Sequence, residues 1–231
     1  MAEEEFNLET ENINLRRLLE QAGVDAAQHE VTERLQRLLM EELHHRIKNT
    51  LATVQAIATQ SLQSAETMDQ ARDAIQNRLL ALGRVHDLLL QTGGVGAKLS
   101  AIISAAVEPF HTKGSAQFVV QSSDIDVRVD AVLPLAMALN ELCTNALKYG
   151  ALSTTNGKIT LTTRVDADAG LLGLNWVEQG GPPVHTPTRR GFGLRLIEMS
   201  LSRRLQGRSQ IIFAPTGVIC ELDVPLAAIK L

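Results

Sequence analysis

Asn140-Glu141-Leu142-Cys143-Thr144-Asn145-Ala146-Leu147-Lys148-Tyr149-Gly150 is the stretch on which the reading of the fold turns. Placed on a helix at about 100° per residue, Glu141, Asn145 and Lys148 share one face. Val132, Leu135, Ala136, Leu139, Cys143, Ala146 and Leu147 share the other. The spacing predicts a long helix, Ala131–Tyr149, with an apolar stripe against a core and a polar stripe facing outward. An acid and a base on such a face are ordinarily just its solvated side, so the stretch acquires chemical meaning only from what surrounds it.

Downstream, Gly180-Gly181-Pro182 and Arg190-Gly191-Phe192-Gly193-Leu194 form a glycine-rich loop that opens into a further helix, Phe192–Leu205. Loops of this kind present backbone N–H groups to phosphate oxygens. Between them lie periods of two that predict strands near Gln117–Gln121, Asp126–Val129, Lys158–Val165, Gly170–Val177, Ser209–Phe213 and Val218–Val224. Together with a helix near Leu99–Val107, this interleaving of strands, hairpin-length turns and helices predicts an α+β sandwich over residues 97–231.

The first part of the chain reads differently. Residues 1–28 predict a short helix with a weak heptad (Leu8, Leu15 and Ala22 at d, Asn12 and Leu19 at a), a coiled-coil or signalling segment with a break at Gly23. Residues 29–92 predict a helical hairpin. One helix runs His29–Leu62 with Leu39, Met40, Leu43, Ile47, Leu51, Val54, Ile57 and Ala58 on one broad face. The other runs Thr67–Leu90 with Ala71, Ile75, Leu79, Leu82, Val85 and Leu89 on its inner face. Each is too apolar to stand alone, so a four-helix bundle is expected, either by dimerisation or with the N-terminal helix replacing the second hairpin. Gly93-Gly94-Val95-Gly96 is the linker to the sandwich.

Composition narrows the function classes. An apolar share of 45% is ordinary for a globular protein, and no apolar run approaches the roughly 20 residues that span a bilayer. No secretory core follows the acidic start, so a cytoplasmic location is expected. Cys143 and Cys220 lie outside any zinc or redox spacing and are expected as reduced, structural thiols. Eight acids against Arg16 and Arg17 occupy the first thirty residues, and the remainder is close to neutral, which argues against a nucleic-acid footprint.

Four pieces in this order, Glu42-Leu43-His44-His45-Arg46-Ile47-Lys48-Asn49, Asn140–Gly150, Trp176-Val177-Glu178 with Gly180-Gly181-Pro182, and Gly191-Phe192-Gly193, resemble the sensor histidine kinases, and more narrowly their HWE subfamily. The resemblance covers roughly residues 30–226. It implies a dimerisation and phosphoacceptor hairpin followed by a two-layer GHKL ATPase domain. One departure stands out: the subfamily's histidine just before Glu141 is replaced by Asn140.

The resemblance also implies roles. His45, which helical phase places opposite the apolar face with His44 on the flank, matches the phosphoacceptor; a neutral imidazole is nucleophilic near pH 7. Many histidine kinases carry an acid directly after this histidine, but Arg46 stands there. The base is then expected to be Glu141, with Glu42 as a local second choice. Asn49 is a candidate for orienting a water. ATP and Mg2+ are the implied ligands: Asn145 would give an amide oxygen to the metal and Lys148 would neutralise phosphate. Gly180, Gly181, Gly191 and Gly193 would line the phosphates, with Arg190, beside Arg189, adding charge. Glu178 resembles the adenine-reading acid, while Trp176 on the same side of its strand reads as core.

These assignments lead to an expected ATP-dependent protein-histidine kinase of a two-component system, passing phosphate from His45 to an Asp of a response-regulator partner. The input would come from an upstream sensory domain or protein. Two rivals remain open: a histidine phosphotransfer protein without autokinase activity, and a GHKL ATPase or serine kinase in which the His45 helix only dimerises.

Overall fold

The structure is a computed structural model that describes residues 2–111, 117–186 and 205–231, with the side chains of 2–20, 22–30, 42 and 46 outside that description. The chain divides into two compact units, Met1–Ala56 and Ile57–Leu231. No helix among the described residues is long and apolar enough to cross a membrane.

The first unit belongs to a single helix, α1 (Ala2–Ser64). Gly23 does not break it, contrary to the expectation from sequence. A lone glycine costs only about 1 kcal/mol against alanine, too little to end a helix that has no proline or cap signal beside it. Leu35, Leu39, Met40, Leu43, Ile47 and Leu51 are all exposed along this unit, so the stripe found by periodicity is present and uncovered.

In the second unit, α1 finishes at Ser64 and α2 (Met68–Gln91) begins behind Thr67. The Thr67 hydroxyl accepts the Gln70 N–H at 3.2 Å and Gln70 Oε1 accepts the Glu66 N–H at 3.1 Å, so donors of the first turn are satisfied. At its other end Gly93 and Gly94 take φ of 70° and 76°. There the Gly94 N–H returns to the Leu89 carbonyl at 2.8 Å, a closure that needs the left-handed region.

The rest is a helix layer on a sheet. β1 (Gly96–Lys98) leads into α3 (Leu99–Val107), then β2 (Phe118–Gln121), β3 (Asp126–Arg128), α4 (Val129–Tyr149), β4 (Lys158–Asp166), β5 (Leu171–Gln179), β6 (Arg208–Ala214), β7 (Gly217–Pro225) and the short α5 (Leu226–Ile229). The main sheet has the order β2-β4-β5-β7-β6; β2 and β4 are parallel and every other pair antiparallel. β1 and β3 form a separate antiparallel pair. Gly96 lies so close to the Val127 carbonyl that no side chain would fit there.

One face of the sheet is covered. Ile159, Leu161, Leu172, Leu174, Trp176, Cys220, Leu222 and Val224 meet Leu135, Leu139, Leu142, Cys143 and Ala146 of α4, and α3 adds Leu99, Ile102 and Ile103. This is the α+β sandwich expected from the pattern, with β1 and α5 as additions too short for periodicity to register. Both cysteines are free and buried, and burial raises both thiols, Cys220 to about 12. α2 packs on α3 and α4, and Val85 joins the same core. On the inner face of α2, Ala71, Leu82 and Val85 are buried as expected and Leu89 is half-buried against the core, Arg78 and Ala81 join them, and Leu79 is exposed.

Leu139 is fully enclosed. Replacing it by alanine should lower stability by about 2–5 kcal/mol, read as a shift of the urea midpoint at unchanged slope.

Candidate active site

The polar stripe of α4 divides when the helix is packed. Lys148 is exposed, Asn145 half-buried, and Glu141 enclosed at 3% exposure. Leu147, expected in the core, is 52% exposed. The reason is that α4 has neighbours on more than one side: the sheet takes Leu135, Leu139 and Cys143, and α2 covers the side that carries Glu141. Glu141 is therefore not on a solvated face, and the expectation that it stands free is corrected.

Burying a carboxylate is costly unless it is paired and hydrogen-bonded. The partner is Arg78 of α2, whose Nε donates to Glu141 Oε1 at 2.6 Å and whose Nη2 donates to Oε2 at 2.9 Å. This is the bidentate fork that matches guanidinium to carboxylate. Arg78 Nη1 donates to the buried Ser61 Oγ of α1 at 2.6 Å. Next along α4, the buried Asn140 accepts from Arg84 Nη2 at 3.3 Å. Asn140 is thus an acceptor for a second arginine of α2.

Periodicity alone did not single out Arg78, Ser61 or Arg84. A signal was present: Ala71, Ile75, Arg78, Leu82, Val85 and Leu89 follow a 4-3-4-3-4 spacing, so Arg78 occupies an apolar stripe. A charge on such a stripe calls for a buried counter-charge. Ser61 likewise follows Val54 and Ile57 on the stripe of α1.

At the C-terminal end of α4 the chain turns at Gly150 into a helical turn, Ala151–Ser153. Glu178, on β5, is buried beneath it. Its Oε2 accepts the Ala151 N–H at 2.9 Å and its Oε1 accepts the Trp176 Nε1–H at 3.1 Å. A side chain at Gly150 would collide with Oε2, and one at Gly217 with the Glu178 carbonyl. Trp176 is wholly buried, as its core reading requires. Gly180 takes φ of 73°, and Gly181 packs against the backbone of Gly150 and Ala151. These two glycines serve a close crossing of backbone beside α4, not only a loop open to a ligand. Arg189, Arg190, Gly191, Phe192 and Gly193, with the Phe192–Leu205 helix, lie outside the described residues apart from Leu205.

On α1, His44 and His45 are both exposed, so exposure does not separate them. Hydrogen bonding does: His44 Nδ1 lies 3.2 Å from the Met40 carbonyl. Lys48 and Asn49 are exposed as well. The side chain of Glu42, the second candidate base, lies outside the description. Among the described residues, no cluster of three His, Cys, Asp or Glu side chains could hold a metal.

Burial pushes the Glu178 carboxyl above its ordinary value of 4.5, against the hydrogen bonds from Ala151 and Trp176 that favour its charged form. With the folded pKa above the unfolded one, the stability it contributes is complete below 4.5 and is lost as pH rises through the folded value. The stability advantage of wild type over Glu178→Gln should therefore be largest in acid and shrink toward neutrality. Thermal denaturation of both proteins between about pH 4 and pH 8 reads this out, and an advantage that widens with pH contradicts it.

Residues 42–124 match the sequence model of the HWE histidine kinases. A blue-light-activated histidine kinase of Brucella anthropi is 36% identical over 207 residues, covering 89% of this chain and 42% of that protein. One of Brucella ovis is 34% identical over 204 residues, covering 87% of this chain and 42% of that protein. The chain thus spans about two fifths of the length of these relatives. The histidine kinase domain of Erythrobacter litoralis EL346 blue-light activated histidine kinase shares the fold, with a TM-score of 0.58 at 19% identity over 77% of this chain and 84% of that one. On these matches the chain is similar to the HWE histidine kinases over residues 42–124 and to blue-light-activated histidine kinases over most of its length.

Proposed function

We propose that the chain is the kinase core of a two-component system, an ATP-dependent protein-histidine kinase that phosphorylates His45 and passes the phosphoryl group to an Asp of a response regulator. What carries the reading is the joint presence, in a chain matched over 89% of its length to a blue-light-activated histidine kinase, of an exposed His45 inside the segment that matches the HWE model and of Asn145 and Lys148 at the accessible end of α4.

In the first displacement a ring nitrogen of His45 forms a bond to the γ-phosphorus as the bond to the bridging oxygen of ADP breaks. The proton on the other ring nitrogen must leave, and Glu141 is the acid assigned to take it. Phosphoryl transfer asks mainly for positioning and charge stabilisation. Lys148, with Arg190, supplies positive charge, and the glycine pairs Gly180-Gly181 and Gly191, Gly193 leave backbone close to the phosphates. Glu178 reads the adenine amino group through acceptor capacity beyond its bonds to Ala151 and Trp176. The donor set on α4 fits magnesium, which prefers oxygen ligands and keeps several waters. Asn145 would hold the ion, and when bound it would neutralise phosphate charge.

The uncovered stripe Leu35–Leu51 supports a homodimer completing a helical bundle. The domains assigned are 1–28 as a signalling helix, 29–92 as the acceptor hairpin and 97–231 as the nucleotide domain. The matched relatives are named for blue light, so an upstream light or ligand sensor is the proposed input. The proposed location is cytoplasmic. One observation favours the phosphotransfer reading instead: both Glu141 oxygens are already engaged by Arg78.

Incubation with γ-labelled ATP and magnesium separates the two. An autokinase should acquire acid-labile, alkali-stable label in the wild type and none in His45→Gln. ATP binding without label contradicts the kinase reading.

A further inference from the structure

The Arg78–Glu141 pair is unusual for a residue assigned to proton transfer. A general base must bring an oxygen within hydrogen-bond reach of the proton it takes, yet Glu141 is enclosed and each of its oxygens accepts from the same guanidinium. The third corner of that guanidinium is held by Ser61, so the fork is fixed from both sides. Arg84 holds the preceding residue, Asn140. Two arginines of α2 thus grip two consecutive residues of α4.

The apolar part of the contact is Leu82 and Val85, with Leu88 and Leu89 half-buried against the core. Of the buried residues of α2, only Leu82 and Val85 are large and apolar, the others being Ala71, Ala81 and Arg78. The polar contacts seat this helix together with its apolar ones, and opening the fork is possible where both charged groups regain water together.

We propose that Arg78 is a latch on Glu141: the guanidinium withholds the carboxylate from proton transfer, and turnover requires α2 to release it. The inference rests on the kinase reading above and adds its control. Glu141 acts on the acceptor histidine only after the fork has opened, so any signal that shifts α2 sets the rate.

The test compares the wild-type chain, Arg78→Met and Arg78→Lys in three measurements: the initial rate of His45 labelling from γ-labelled ATP, ATP affinity, and amide hydrogen exchange across residues 68–91. The latch predicts that Arg78→Met labels about fivefold faster or more, binds ATP within about twofold of wild type, and exchanges faster in α2. Arg78→Lys, a point charge that cannot bridge both oxygens, should fall between. If Arg78→Met does not fold, Arg78→Lys and Ser61→Ala carry the same prediction at smaller amplitude. A labelling rate that falls at unchanged ATP affinity overturns the proposal, because Arg78 would then orient Glu141 for reaction. An unchanged rate overturns it too. Absence of His45 label from every protein overturns the kinase reading and the latch together, whereas label in the wild type with no rise in the variants overturns the latch alone.

Discussion

The enclosure of α4 is the constraint on which the rest of the structure depends. From Pro134 to Cys143 every residue is buried. A helix apolar on one side and polar on the other normally leaves the polar side in water. Here the sheet and α2 close over it from different directions, and a carboxylate caught between them must be paired. The Arg78 fork answers that need, and it makes α2 a part of the nucleotide-domain unit. Such a pair is weak evidence of stability, because desolvation offsets much of its attraction, whereas removal of one partner strands a buried charge.

Much of the fold was legible in the sequence. The α3 and α4 helices and six of the strands follow from apolar periods of 3.6 and 2, which report burial on one face. What those periods cannot report is burial on two faces. Glu141 looked exposed because its neighbours at i+4 and i+7, Asn145 and Lys148, are polar; nothing local says that α2 lies over the first of the three. Leu147, counted with the apolar stripe, is 52% exposed although Cys143 and Ala146 of the same stripe are enclosed. β1, three residues long, has no period to detect.

The site was legible in a different measure. His45 and Asn145 were assigned through the family resemblance, and the structure leaves His45 exposed and Asn145 half-buried. Glu178 was found as an acid before glycines, but its grip on Ala151 and Trp176 depends on a long-range meeting of β5 with the end of α4. Gly150, Gly181 and Gly217 belong to that meeting as much as to any ligand: each marks a place where backbone approaches too closely for a side chain. Arg78 and Ser61 escaped notice because a polar residue on an apolar stripe becomes informative only when its partner, sixty-three residues away for Arg78 and Glu141, is known.

The account's central claim is that one helix serves two purposes, holding the core with one side and a magnesium nucleotide with the accessible remainder of the other. Titration calorimetry of magnesium-ATP into wild type and Asn145→Ala, with thermal denaturation of both, tests it most directly. The account predicts that Asn145→Ala loses at least about tenfold in affinity, roughly 1.4 kcal/mol, at an unchanged denaturation midpoint. Equal affinity in the two proteins would contradict it.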